Sequence, residues 1–430
     1  ELTNDPAEAQ VRLIYQHQAG VLREKLKDPA VALAYDRALV EAHLDALREF
    51  NGLASEIADA ENELSRLPRD ESSARALWTR QLAEAEAKSR PLNGMLPHAQ
   101  QYAGDPNGTP QEQAEFENSR LNFLALVFCL MVGTAALPHI LMRYYTVPDV
   151  KQARRSVTWS LVFISLLYFT APALAVLVKF EVFNVLVGTS FDQLPSWVAA
   201  WNKVDPSLLS VRDVNRDGVL QLNEISIGVD IIVLATAEIA GLPYVVAGLV
   251  AAGGLAAALS TADGLLLTIA NALSHDVYYK MIDPNAATAR RVTISKVLLL
   301  VVALSAAYVA AQKPADILFL VSAAFSFAAS AFFPALVLGI FWKRATGSAA
   351  VLGMLSGLGV TCYYMATTQP WLREVFGLSG PIELWWGIQP ISAGVFGVPV
   401  GFAVMVVVSW LTPRPTSTMV AWVDRLRQPH

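Results

Sequence analysis

The sequence predicts an all-α polytopic membrane protein with a soluble helical region ahead of its spans. Three observations lead there. The 430 residues are 54% hydrophobic and only 16% charged, with a mean hydropathy of +0.41, outside the range of ordinary soluble domains. The apolar residues are segregated: residues 1–117 are polar and charged, and successive apolar blocks fill 118–412. Each block has about twenty residues, the length of a helix that crosses a bilayer. Basic residues then gather in alternate loops, as membrane topology demands. The net charge of −5 says little for a chain half in lipid.

The region 1–117 reads as helices followed by a linker. Val40, Leu44, Leu47 and Phe50, then Leu53, Ile57 and Leu64, recur at helical spacing. Asp28-Pro29 and Leu67-Pro68 mark breaks or helix starts, so two or three long helices are expected, folded as a hairpin or small bundle. Pro91 to Gln111 is rich in Pro, Gly and Asn and reads as a linker. His17, His43 and His98 are scattered and read as surface or half-buried residues, not metal ligands. The chain opens on Glu1 without an apolar leader, which suits either a membrane protein with a soluble first region or one that lacks its N-terminal half here.

Apolar blocks at 119–142, 156–180, 242–275, 293–312, 316–342, 347–367 and 386–411 predict seven spans. The block 229–240 is too short and reads as a re-entrant or surface helix. Arg143, Lys151, Arg154 and Arg155 lie on one side, with Lys280, Arg290, Arg291 and Lys296, then Lys343 and Arg344, then Arg414, Arg425 and Arg427. The positive-inside rule makes these loops and the tail 413–430 cytoplasmic, and puts 1–117 outside. Cys129 and Cys362 fall in apolar blocks and read as core residues without a disulfide. Trp385 and Trp386 suit a membrane interface.

The first span contains Gly133, Thr134, Ala135, Pro138 and His139. Pro138 withholds a backbone bond, and freed groups survive at that depth only against protein, water or ligand. Two readings stay open: a Pro kink with His139 hydrogen-bonded in the bundle, or a broken helix whose free groups hold a substrate. In the third span Ala257, Ser260, Thr261, Gly264, Thr268, Asn271 and His275 form one small, polar face. Such a face serves either close helix packing or an ion. Asp263, an ionisable group in a span, is a candidate for coupling or for pairing with a polar partner. Ser322, Ser326 and Ser330 form a stripe suited to packing.

Between the second and third spans, residues 213–224 match the twelve-residue EF-hand calcium pattern. Asp213, Asn215 and Asp217 offer side-chain oxygens, Val219 its carbonyl, Gln221 a water-mediated contact and Glu224 a bidentate carboxylate. Gly218 permits the turn and Leu220 packs beneath it. The plain alternative is an acidic turn without metal.

Ala257-x-x-Ser260-Thr261, followed by His275-Asp276-Val277-Tyr278, resembles the sodium:solute symporter family. The string from Gly133 to Arg143 is similar to its acetate and short-chain monocarboxylate branch. The resemblance spans about 119–411. It favours the broken helix in the first span, and implies sodium at Ala257, Ser260 and Thr261 and a substrate near Gly133 to His139. It also implies a bacterial inner-membrane location and a leucine-transporter-like inverted-repeat core. The first five spans would be the second repeat and the last two peripheral; the first repeat, part of the N-terminal half, would be absent. Sodium-coupled symport of acetate or a similar monocarboxylate is the expected function. The rival is a transporter-like receptor whose outer helices bind a partner, although only about nineteen residues follow Leu411. No phosphate loop, nucleophile–base pair or zinc spacing points to an enzyme, and nothing points to nucleic acid.

Overall fold

The computed structural model describes residues 4–50, 53–96, 100–144, 147–378 and 380–426. His98 and Arg427 lie outside the described residues. The helices are α1 (Pro6–Lys27), α2 (Pro29–Glu49), α3 (Ala54–Arg66), α4 (Glu71–Lys88), α5 (Pro110–Ala136), α6 (Pro138–Arg143), α7 (Val150–Glu181) and α8 (Ser196–Val204). Strands β1 (Leu209–Val211) and β2 (Ile225–Ile227) follow. The remaining helices are α9 (Ile232–Ile239), α10 (Tyr244–Asn271), α11 (Thr288–Ala311), α12 (Ile317–Phe341), α13 (Gly347–Thr368), α14 (Pro370–Val375), α15 (Gly394–Leu411) and α16 (Ser417–Leu426). The chain divides into two compact units, one of residues 1–101 with 174–243, the other of 102–173 with 244–430.

In the first unit, four helices stand where two or three were expected. Their starts are set by carboxylate caps, which satisfy otherwise orphaned amides. Asp5 accepts from the Ala7 amide at 2.9 Å, Asp28 from Val31 at 3.2 Å and Asp70 from Ser73 at 2.8 Å. The hydrogen bonds from Ser73 and Ser72 hold the Asp70 carboxyl down to about 2. α1 and α4 bury Val11, Tyr15, Ala19 and Ala85 between them, and Leu33, Ala74 and Trp78 tie α2 to α4. Of the apolar stripe read on α2, only Leu44 is fully buried; Phe50 is 81% exposed. His17 and His43 are exposed, as expected.

The second part of this unit packs Val178, Val182, Leu186, Val198, Leu209, Leu220 and Ile225 into one core. β1 and β2 pair antiparallel, Leu209 opposite Ile227 and Val211 opposite Ile225, and so bring together the two ends of the 213–224 loop. This small sheet departs from the all-α expectation. α9 joins the same core through Ile232 and Ile239, and Trp201 Nε1 donates to Glu238 Oε2 at 2.6 Å.

The seven predicted spans correspond to seven helical stretches long and apolar enough to cross a membrane. In the second unit α12 packs against α5, α13 and α15. Small residues allow the approach. Gly353 and Gly357 on α13 face Gly401 and Gly397 on α15, and Ser330 of α12 sits between. Thr361 Oγ1 donates to Ser330 Oγ at 2.7 Å, and Ser326 Oγ to the Ile391 carbonyl at 2.9 Å. The serine stripe is thus buried packing, as expected. Cys129 is buried, but Cys362 is exposed, so its reading as a core residue is corrected; both thiols are free. α13 spends its small Gly353, Gly357 and Thr361 face on α15 and α12, which turns Cys362 outward. α10 and α11 bury none of their most apolar windows inside the described chain, against 33–44% for α5, α12, α13 and α15.

Candidate functional site

The first span is broken. α5 ends at Ala136, Leu137 is extended (φ −65°, ψ 119°), and Pro138 opens α6. Pro138 disfavours helical backbone at the residue before it and has no N–H to give the Thr134 carbonyl. The Ile140 and Leu141 amides both donate to the Leu137 carbonyl at 3.1 Å. His139 lies half-buried at the break, with no hydrogen-bond partner for its buried Nδ1.

The five residues read as substrate contacts separate in space. Gly133 is buried against α12: a Cβ there would lie 2.6 Å from the Phe325 carbonyl oxygen. Its lack of a side chain serves packing. Thr134 and Ala135 are exposed, and Thr134 Oγ1 donates to the Leu130 carbonyl at 2.6 Å. Pro138 and His139 are at the break itself.

α6 lies against α10. The Arg143 guanidinium, at the end of α6, comes within 3.5 Å of where a Cβ on Gly264 would stand. In the sequence Arg143 stands out as a topology marker and as the end of the Gly133–Arg143 string; the signal for its contact with α10 is Gly264, one turn beyond Thr261. On α10, Thr261 Oγ1 donates to the Ala257 carbonyl at 3.1 Å, so two of the three oxygens read for sodium are neighbours. Ala257, Ser260, Thr261 and Asp263 are all exposed. One helix face of neutral oxygens suits part of the shell of a hard monovalent cation. Beyond Asn271 the helix widens into a π-helical stretch, Ala272–Ile282, with His275 Nδ1 3.1 Å from Asp276 Oδ1.

In the first unit, the loop 213–224 curls through left-handed backbone at Arg216 (φ 61°) and Gly218 (φ 75°). The Gly218 amide donates to Asp213 Oδ2 at 3.0 Å, and Asn215 Oδ1 accepts from Asp217 at 3.1 Å. Gln221 Nε2 donates to Asp217 Oδ2 at 2.7 Å. Leu220 is fully buried; its amide donates to the Thr189 carbonyl and its carbonyl accepts from Gly188. Glu224 is 1% exposed and accepts from the Val214 and Gln221 amides at 2.6 and 3.1 Å. Burial pushes the Glu224 carboxyl up despite these bonds. Asp217 is also pushed up by desolvation, but hydrogen bonds from Val219, Asn215 and Gln221 outweigh that and hold it low. Among the described residues, no three His, Cys, Asp or Glu side chains converge as a metal cluster.

The sequence did not reveal what holds this loop. Glu8 of α1, 2% exposed, accepts from the Leu222 amide at 2.5 Å and the Asn223 amide at 3.4 Å. Asn223 Nδ2 donates to the Lys88 carbonyl at 2.6 Å, and Asn93 Nδ2 to the Leu222 carbonyl at 3.0 Å. Beside this clamp lies a cavity of about 450 Å³ whose lining includes Tyr15, Glu84, Lys88, Arg212 and Glu224. Burial lowers the Lys88 ammonium below its usual range and raises the Tyr15 hydroxyl to about 12.

The chain is similar to known transporters. It is 52% identical over 429 residues to an uncharacterized symporter of Cupriavidus necator, across 100% of this chain and 61% of that protein. It is 31% identical over 242 residues to a monocarboxylic acid transporter of Corynebacterium glutamicum, covering 56% of this chain and 37% of the relative. With an uncharacterized symporter of Bacillus subtilis it shares 29% identity over 294 residues, 66% of this chain and 48% of the other. The chain therefore spans less than two thirds of the length of each of these relatives, all of them transporters rather than enzymes. No solved structure matches it. The sodium:solute symporter family model matches residues 95–199 and 226–357, more than half of the chain. With its broken first span and its small, polar α10 face, the chain belongs to the sodium:solute symporter family.

Proposed function

We propose that the protein works as a sodium-coupled symporter of a short monocarboxylate such as acetate, in the inner membrane of a bacterium. One observation carries this reading: α6, the short helix that Pro138 opens at the break, lies against the helix that bears Ala257, Ser260 and Thr261. A solute held at the break and an ion held on α10 would then share one wall, so each favours the arrangement the other needs. Sodium is assigned to the Ala257 carbonyl and the Ser260 and Thr261 hydroxyls. The solute is assigned to the break, with Pro138 and His139 nearest and Thr134 and Ala135 beside them. Gly133 contributes by letting α5 approach α12. Asp263, two residues beyond Thr261, is a candidate coupling group. The monocarboxylic acid transporter among the relatives favours the solute class.

In this reading α5–α6, α7, α10, α11 and α12 form one inverted repeat, with α13 and α15 peripheral. The exposed face of α10 is the half-site that a helix of the other repeat, in the N-terminal half of the transporter, completes. The first unit is assigned to the outer side and the tail to the cytoplasm. Two spans, Pro110–Arg143 and Val150–Leu186, lie between residues 1–101 and the 187–243 part of that unit, which returns both parts to one side.

The test is uptake of labelled acetate into proteoliposomes with and without an inward sodium gradient, beside a Ser260→Ala/Thr261→Ala variant. Uptake that requires sodium and collapses in the variant supports the reading. Uptake indifferent to sodium refutes the ion and turns attention to protons and Asp263. A folded protein that moves no small monocarboxylate refutes the solute class.

A further inference from the structure

We propose that the loop 213–224 binds one calcium ion, and that this ion fixes the clamp between the loop and helices α1 and α4. The observation that points to a ligand is a pair of orphaned oxygens. Asp213 Oδ1 and Gln221 Oε1 are both buried and without a hydrogen-bond partner. Gln221 is only 4% exposed, and its amide nitrogen already binds Asp217, so the side chain is directed into the loop. Leaving such atoms unpaired is costly; a cation between them removes the cost.

The donor set selects the ion. Asp213, Asp217 and Glu224 supply three negative charges, Asn215 and Gln221 neutral oxygens, and Val219 a carbonyl. That is a hard, all-oxygen shell with flexible geometry, suited to calcium with six to eight ligands and poorly suited to magnesium, which demands a rigid octahedron. Without the ion the three carboxylates do not converge, because Glu224 is turned to the Val214 and Gln221 amides. Glu224 must exchange its hydrogen bonds to Val214 and Gln221 for the ion, so moderate affinity is expected, on the order of 10⁻⁴–10⁻³ M, as in extracellular modules.

The place of the ion gives its role. Leu222 and Asn223 stand between the ligands Gln221 and Glu224, and they are the residues that Glu8, Asn93 and the Lys88 carbonyl hold. An ion that orders Gln221 and Glu224 orders the clamp between them. This inference stands apart from the transport reading.

The experiment titrates calcium chloride into the chelator-treated full chain in detergent, by calorimetry, with magnesium as competitor. Asp213→Asn and Glu224→Gln, each nearly isosteric, serve as variants, with folding checked by circular dichroism. One calcium per chain, and binding weakened by about tenfold or more in each variant, is expected. No binding by the folded wild type at roughly 10 mM calcium, or equal binding in both variants, overturns the site. Calcium should also slow hydrogen exchange at the Leu222 and Asn223 amides in the wild type alone; binding without that slowing overturns the clamping role.

Discussion

Substituting Gly397 by Ala adds a single methyl group at the tightest crossing in the second unit. A Cβ there would stand 2.1 Å from Thr361 Oγ1, 2.4 Å from Ser330 Oγ and 2.5 Å from the Gly357 carbonyl oxygen. None of these can withdraw cheaply. Thr361 and Ser330 are completely buried and bonded to each other, and each is also bonded to its own helix. Overpacking costs about 1–3 kcal/mol. Loss of the Thr361–Ser330 bond adds about 0.6 kcal/mol, the mean for interhelical bonds in membranes. The variant should therefore lose about 2–4 kcal/mol. The assay is reversible unfolding in mixed micelles followed by tryptophan fluorescence, with Gly359→Ala as control. Gly359 lies on α13 with nothing within 4 Å of its Cβ position, so that change should be close to neutral. If Gly397→Ala stays within about 0.5 kcal/mol of the wild type, or Gly359→Ala is equally damaging, the packing argument is wrong.

Gly133→Ala should lower stability by about 1–3 kcal/mol through its clash with the Phe325 backbone. Lost transport in this variant should track lost fold, measured by unfolding and uptake on the same preparation. Glu8→Ala leaves two buried amides unpaired and should cost the first unit about 1–3 kcal/mol, seen as earlier exposure of Trp78 during denaturation. Burial raises the Tyr15 hydroxyl to about 12, above its unfolded value near 10. Its stabilising effect is therefore complete below pH 10 and is lost as pH rises from 10 toward 12. Tyr15→Phe should remove that part of the alkaline decline, read by circular dichroism of paired samples.

The spans were legible because a bilayer imposes length and apolarity on each one, and these are visible in any window of the sequence. The break was half legible: Pro138 marks a disturbance, but Pro172 and Pro334 lie inside unbroken helices, so a proline alone does not tell a kink from a break. The membership of the first unit was not legible. What joins α1 to the loop is a carboxylate accepting two backbone amides and an asparagine donating to carbonyls, and such contacts leave no periodic trace. The four helices exceed the two or three expected because α3 is a separate short element that begins after Leu53 and ends at Leu67-Pro68. Gly133 illustrates the ambiguity of small residues in a span: the same glycine suits a ligand or a neighbouring backbone, and Phe325 decides for the backbone. Along α10 the sequence identified the polar face but not what covers it, because whatever covers one face of a span comes from residues distant in the chain.

The Glu8–Leu222 hydrogen bond joins residues 214 positions apart, and the two spans α5 and α7 are synthesised between them. At typical translation rates of about 5–20 residues per second, α1 waits roughly 10–40 s for its partner. During that wait its carboxylate is hydrated and its apolar face incompletely covered. The clamp can close only after both spans have been threaded, since a chain in which one of the two fails to insert would leave the two halves on opposite sides. Closure of the first unit thus reports successful membrane insertion, and a chain that fails this step presents an unfinished helical bundle to the proteases of its compartment.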